Sequence, residues 1–212
     1  MKVNAFIQSV FASLTQQGST LLINSDTLLT FTNFGLSDIY NYEGRFWGFQ
    51  YVVGNTFTTT GASTNFTHTI PENATNTIQR LVSLRATRGT TVLDESVKFK
   101  FKRDGVIGDH RDTYYQQYGT TFKVYDEPNR PINYEYSYVK GFKFLTSLND
   151  ELPIPEQFIP ALHSFVISYC LVPFGQYSDN KEVNFYQKGL QQLANLAKGD
   201  GAQVGTVITN IV

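Results

Sequence analysis

Apolar residues recur at helical spacing at both ends of this chain and at alternating spacing through its middle. Val3, Phe6, Ile7, Val10, Phe11 and Leu14 fall at i, i+3, i+4, i+7, i+8 and i+11, one stripe of a helix over 3–14. "TQQGST" ends it, with Gly18 as the stop. A second helix, 26–43, takes Ser25 or Asp26 as its cap. Leu28, Leu29, Phe31, Phe34, Leu36, Ile39 and Tyr40 make it apolar over a wide arc, so it is expected to be buried on more than one side. Gly35 lies inside it and weakens it by roughly 1 kcal/mol relative to Ala; Gly44 marks its end.

After "RFWGFQYVV" the period changes. "NTFTTTGASTNFTHTIP" is Thr-rich with weak alternation, and "TIQRLVSLRATRGTTVLDESVKFKFKRDG" reads as strand, turn, strand. Val97, Phe99 and Phe101 alternate with Lys98, Lys100 and Lys102. Phe122 and Val124 face one way, "DEPNRP" turns the chain, and Ile132, Tyr134, Tyr136 and Tyr138 alternate with Asn133, Glu135, Ser137 and Val139. These patterns predict an antiparallel meander of about five to seven strands.

Helical spacing then returns in "ELPIPEQFIPALHSFVISYCLV". Pro155 or Pro160 suits a first turn, where a missing N–H costs nothing. Leu162, Phe165, Val166, Tyr169 and Cys170 form a stripe over 156–172. "PFGQYSD" breaks the chain. Asp179 with Glu182 resembles a capping box for a helix over 180–197 that buries Val183, Tyr186, Leu190, Leu193 and Ala197, with Gly199 as its stop. Neither helix pair buries its apolar arcs alone. The expected fold is therefore α+β: a four-helix bundle from residues 1–46 and 151–198, with 47–150 as an inserted antiparallel β-meander or sandwich. Residues 199–212 read as an extended C-terminal arm.

Composition narrows the function classes. Charged residues make up 17% of the chain, below the usual value near 25%, as in proteins that hide surface in an assembly or display Thr, Asn and Gln. A net charge of −1 gives no global field for nucleic acid or an anionic membrane. The 17 Phe, 13 Tyr and one Trp suit a β-rich core or an interface. Cys170 is the lone cysteine, so no disulfide forms within the chain; its apolar face predicts a buried, inert thiol. Asn4, Gln8 and Ser9 break the apolar run of the N-terminus, so it is not read as a signal peptide. No stretch approaches the roughly 18 apolar residues of a membrane span.

Candidate chemistry is sparse. "DGVIGDHRD" gathers Asp104, Asp109, His110, Arg111 and Asp112 but lacks the spacing of a calcium loop. The histidines His68, His110 and His163 fall on three different segments, and His163 is expected to be partly buried beside the apolar stripe. H-E-x-x-H, C-x-x-C, G-x-S-x-G and a phosphate-binding glycine loop are all missing from the sequence. No catalytic residue, metal site or cofactor is therefore expected. Lys98, Lys100 and Lys102 read as a solvated edge that discourages strand addition.

Two segments carry a resemblance. "FTNFGLSDIYNYEGRFWGF" (31–49) is a helix with Asn and Ile-Tyr that runs into a Trp. "ELPIPEQFIPALHSFVISYCL" with "DNKEVNFYQKGLQQLA" (within 151–194) has an L-P start, an A-L pair, a Tyr and a second helix with Phe-Tyr. Together they resemble the head–tail adaptor family of short-tailed bacteriophages, including the tail tubular A proteins and the ring proteins of crAss-like phages. The resemblance implies a non-enzymatic virion protein forming a ring, a dodecamer, in the neck between portal and tail. The implied partners are further copies of the chain, the portal protein, the next tail or ring component, and packaged DNA that passes through the lumen without sequence-specific contact. The resemblance also implies no membrane partner, a place in the virion at the head–tail junction, and synthesis in the host bacterial cytoplasm. Trp47, Tyr40, Leu162 and Tyr169 would hold the bundle. The arm's Val204, Val207, Ile208, Ile211 and Val212 would meet a neighbour by β-augmentation or groove binding, and the Lys98/Lys100/Lys102 face could lie near DNA. Two other readings stand beside this one. The first is a β-sandwich binding module of a phage tail or secreted protein, displaying Tyr and Thr to a carbohydrate or host receptor. The second is an enzyme built on Asp109–Asp112, which needs a pocket joining His110 to a second acid.

Overall fold

The computed structural model describes residues 1–16, 23–58, 67–69, 78–88, 91–96, 98–99, 114–118, 121–125, 133–172 and 181–200. The chain is α+β and divides into two units, Met1–Phe49 with Phe144–Val212, and Gln50–Lys143.

In the first unit, α1 (Val3–Gln16) buries Val3, Phe6, Ile7, Val10 and Leu14, the face its stripe predicts. A helix leaves its first N–H groups without helical partners. Here the 148–152 segment supplies them: Val3 N–H donates to the Asp150 carbonyl at 3.0 Å and Asn4 N–H to Leu148 at 3.0 Å. Leu152 N–H returns a bond to the Met1 carbonyl at 3.0 Å.

The cap of α2 (Ser25–Tyr40) is Asn24, not Ser25 or Asp26. A cap residue is extended, and Asn24 is (φ −84°, ψ 165°); its Oδ1 accepts from Thr27 N–H at 2.8 Å. Asp26 instead lies in the first turn, where a carboxylate favours the helix dipole. The helix buries Leu28, Thr32, Asn33, Gly35, Leu36, Ile39 and Tyr40 and leaves Phe34 exposed, so its apolar arc is narrower than expected. A 3-10 turn, Tyr42–Gly44, reverses the chain through Glu43 (φ 50°) and Gly44 (φ 67°).

A 3-10 turn, Glu156–Phe158, leads into α3 (Ile159–Leu171), with Pro160 in the first turn. Nine of its thirteen residues are buried, including Ser164 and Ser168, so the expected stripe understated it. The cause is its position: α3 packs against α1, α2 and α4 (Lys181–Asp200). Two close approaches set the distances. A Cβ on Gly35 would lie 2.9 Å from Leu162 Cδ1 and 3.3 Å from Phe165 Cβ. A Cβ on Gly189 would lie 2.6 Å from Phe165 Cε1 and 2.8 Å from Cδ1. Because Gly189 marks the point nearest α3, the buried face of α4 runs through Glu182, Gly189 and Leu193, and Val183 is exposed rather than buried. Gly199 is not the stop expected of it, since the helix continues to Asp200. Its φ is not left-handed, and no atom lies within 4 Å of where its Cβ would stand, so nothing there forces the chain out of the helix.

The second unit holds β1 (Tyr51–Thr58), β2 (Thr67–Thr69), β3 (Ile78–Arg88), β4 (Thr91–Ser96), β5 (Lys98–Phe99), β6 (Tyr114–Tyr118), β7 (Thr121–Tyr125) and β8 (Asn133–Lys140). They form two sheets, ordered β1-β8-β3-β4 and β2-β7-β6-β5. This is not the order of a meander. The last strand lies between the first and third, antiparallel to both, and β5 pairs parallel to β6. Pairing Tyr51 with Val139 brings together the points where the chain enters and leaves the unit, a condition consecutive pairing does not meet. The alternation read in β8 holds over 133–138 and fails at Val139, which is buried too, while Ile132 lies outside the described residues. Tyr134, Tyr136 and Tyr138 are buried with Ile78, Leu81 and Leu84, and Phe57 stacks on Tyr134 at 5.1 Å. β1 bulges between Val52 and Asn55, where Gly54 takes φ 72°, a conformation that glycine adopts without strain.

The helical glycines give a test with opposite signs. Alanine at an unobstructed helix position gains up to about 1 kcal/mol, whereas overpacking costs roughly 1–3 kcal/mol. Gly199→Ala is therefore expected to be neutral or slightly stabilising. Gly189→Ala is expected to destabilise, and the loss should shrink when Phe165 is also changed to Leu. Urea denaturation of the single and double variants measures this; equal effects at the two glycines would contradict the close approach.

Candidate functional site

The polar residues of the helical unit fall into two groups. One joins chain segments. Asn33, buried on α2, pairs its amide with the backbone of Leu145: Nδ2 donates to the carbonyl at 3.0 Å and Oδ1 accepts from the N–H at 2.8 Å. The Tyr40 hydroxyl donates to the Pro153 carbonyl at 2.9 Å. Trp47, fully buried, donates Nε1–H to the Ile39 carbonyl at 2.6 Å and meets the Phe158 ring edge-on at 4.9 Å. Buried polar groups without partners are costly, so these bonds fix which backbone segments meet.

The second group opens to solvent. The Tyr169 hydroxyl on α3 donates to Asp38 Oδ2 on α2. Burial raises the Asp38 carboxyl above its ordinary value, and the bond from Tyr169 partly opposes this. Burial also holds the Tyr169 phenol far above its ordinary value, with the bond to Asp38 next in weight, so the proton stays on Tyr169. Burial raises Tyr186 on α4, and the Asp38 charge raises it further. Asp38 and Tyr186 border a cleft of about 530 Å³ lined by Asp38, Asn41, Tyr42, Glu43, Tyr186, Gln187, Leu190, Gln191 and Ala194. Two carboxylates line it, together with three amides and two phenols, and none of the nine residues is cationic.

Val204, Val207, Ile208, Ile211 and Val212 are outside the described residues, as are Asp104, Asp109, His110, Arg111, Asp112, Lys100 and Lys102. Lys98 is in β5 and His68 in β2. Cys170 is buried, and burial pushes its thiol up to about 12, so it remains protonated near neutral pH. His163 is half-buried, with Nε2 3.2 Å from Ser13 Oγ and its ring edge-on to Phe6. Among the described residues, no group of three His, Cys, Asp or Glu side chains is placed to hold a metal ion. None of their helices is long and apolar enough to cross a membrane.

Sequence reading missed Asp38, Asn33 and Tyr186 as a polar framework. A signal was present, because Asn33 and Asp38 interrupt an otherwise apolar arc on α2. Compared with models of known families and with curated proteins, the chain matches none.

Two titrations should be visible in stability. Burial lowers His163 below 6.5; a bond with the Ser9 backbone opposes this, and the Lys188 charge adds to it. The unfolded chain then binds the extra proton first, so the contribution is full above about 6.5 and is lost as pH falls through that value. Asp38 has the opposite sign. Its folded pKa is raised, so its contribution is full below its unfolded value of 3.8 and declines as pH rises through the folded pKa. Denaturation midpoints across pH should lose the first slope in His163→Gln and the second in Asp38→Asn. Unchanged slopes would show that neither group carries the linkage. The buried thiol gives an independent check: Cys170 should react with a disulfide reagent only on unfolding, and rapid labelling of the native chain would contradict its burial.

Proposed function

We propose that this chain is a structural virion protein of a tailed phage, forming a ring in the head–tail connector between portal and tail. The observation that carries the reading is the division of the chain. Helices from its two ends share one unit, and residues 50–143 form another whose first and last strands pair. That is the arrangement implied by the resemblance of 31–49 and 151–194 to head–tail adaptors. In the proposed subunit the four helices pack as a four-helix bundle, and the two sheets form an inserted sandwich. Copies close into a ring, a dodecamer, with DNA passing through the lumen, and the ring binds the portal protein and the next tail component. The function is mechanical and involves no catalysis. Residues 201–212 dock on a neighbour through Val204, Val207, Ile208, Ile211 and Val212. The binding-module reading has less support, because three of the tyrosines it would display, Tyr134, Tyr136 and Tyr138, are buried.

The experiment is negative-stain imaging and co-sedimentation of the protein, alone and with the portal protein encoded in the same genome. Rings, or complexes with the portal, are expected. Deleting 201–212 should leave the helical circular dichroism signal intact and reduce ring formation or docking. A chain that remains monomeric at all concentrations and binds no portal would overturn the proposal.

A further inference from the structure

We propose that the cleft between the C-terminal end of α2 and α4 binds a guanidinium group, the side chain of an arginine. Four observations converge on this ligand class. The space, about 530 Å³, admits a side chain together with part of its backbone. The sign of the lining is uniform, with carboxylates at Asp38 and Glu43 and no Lys, Arg or His among the nine residues. The cleft lies at the end of α2 (Ser25–Tyr40), where the helix dipole is negative and favours a cation. Finally, Tyr186 brings an aromatic ring, on which a flat, weakly hydrated cation stacks, while Tyr42 is buried with its ring stacked on Trp47.

The acceptors are also oriented in advance. Asp38 accepts from the Tyr169 hydroxyl through Oδ2, which restrains the carboxylate and leaves it lone pairs for further donors. Asn41 directs its Nδ2 into the helix end, to the Ser37 carbonyl at 2.9 Å and Oγ at 3.2 Å, so the acceptor side of its amide is the side it offers a ligand. Gln187 and Gln191 add further amide oxygens. An anion would meet two like charges, and the described residues provide no metal-binding group of three ligands. Arginine fits better than lysine because its fork matches a restrained carboxylate and its plane matches an aromatic wall. The arginine can come from another copy of this chain or from a different polypeptide. The proposal does not depend on the ring reading, because it is decided on the free subunit.

The test is an NMR titration of the full chain with N-acetyl-arginine amide, beside a dilution series of the protein alone. Saturable shifts confined to residues near 38–43 and 186–194 are expected. Binding should weaken roughly fivefold or more in Asp38→Asn and in Glu43→Gln, as charge-assisted bonds are lost, and N-acetyl-lysine amide should bind less tightly. If the same signals also move on dilution, the natural source is a second copy; if they do not, it is another polypeptide. The proposal is overturned if the cleft signals respond to neither arginine nor dilution. It is equally overturned if arginine and lysine bind alike, or if Asp38→Asn and Glu43→Gln leave binding unchanged. The wild-type map does not depend on whether either variant folds.

Discussion

The helical unit depends on the contact of Phe165 with two glycines. Its Cβ lies 3.3 Å from where a Cβ on Gly35 of α2 would stand, a tight contact beside Leu162 Cδ1 at 2.9 Å, and its ring lies against Gly189 of α4, closer than a side chain would allow. Each glycine weakens its own helix by about 1 kcal/mol relative to alanine. The approach they permit offsets this, because α3 is then buried on nearly every side. Apolar burial on that scale is the main force holding elements together. With α3 placed, α1 and α2 have a surface to cover on one side and α4 on another.

Hydrogen bonds then select the register. Asn33 holds Leu145, Tyr40 holds Pro153, and α1 starts on carbonyls of the 148–152 segment. These links join the beginning of the chain to residues more than a hundred positions away. Segments 31–49 and 151–194 also meet, through Trp47 against Phe158 and Tyr169 on Asp38. The Asp38–Tyr169 bond serves packing and cleft alike, since it joins α2 to α3 while holding an acidic group at the border of the cleft.

The existence and order of the four helices were legible because apolar spacing is a local signal. Which face each helix buries was less so. The pattern counted Val183 and Phe34 as inward because they are apolar, but both are exposed, since Gly189 and Gly35 decide which side approaches α3. A glycine in a helix reads as a weak point when its neighbour is unknown, which is how Gly35 was read. Strand order was hidden for a related reason. Pairing of β1 with β8 is a contact across most of the unit, and alternation shows faces but not partners. The cleft was illegible because its residues come from separate elements and none belongs to a catalytic motif.

The central claim is that helices from both ends of the chain fold as one unit around Phe165. The single tryptophan, Trp47, reports on the N-terminal part, bonded to Ile39 and set against Phe158. Leu193, fully buried on α4, lies far from it in sequence. Leu193→Ala should cost roughly 2–5 kcal/mol, as for other buried leucines. The decisive measurement is urea unfolding of that variant followed by both Trp47 fluorescence and far-UV circular dichroism. A common shift of both transitions to lower urea is the expected result. A fluorescence transition that stays at the wild-type midpoint while the helical signal shifts would show that the two ends fold separately, and would contradict the claim.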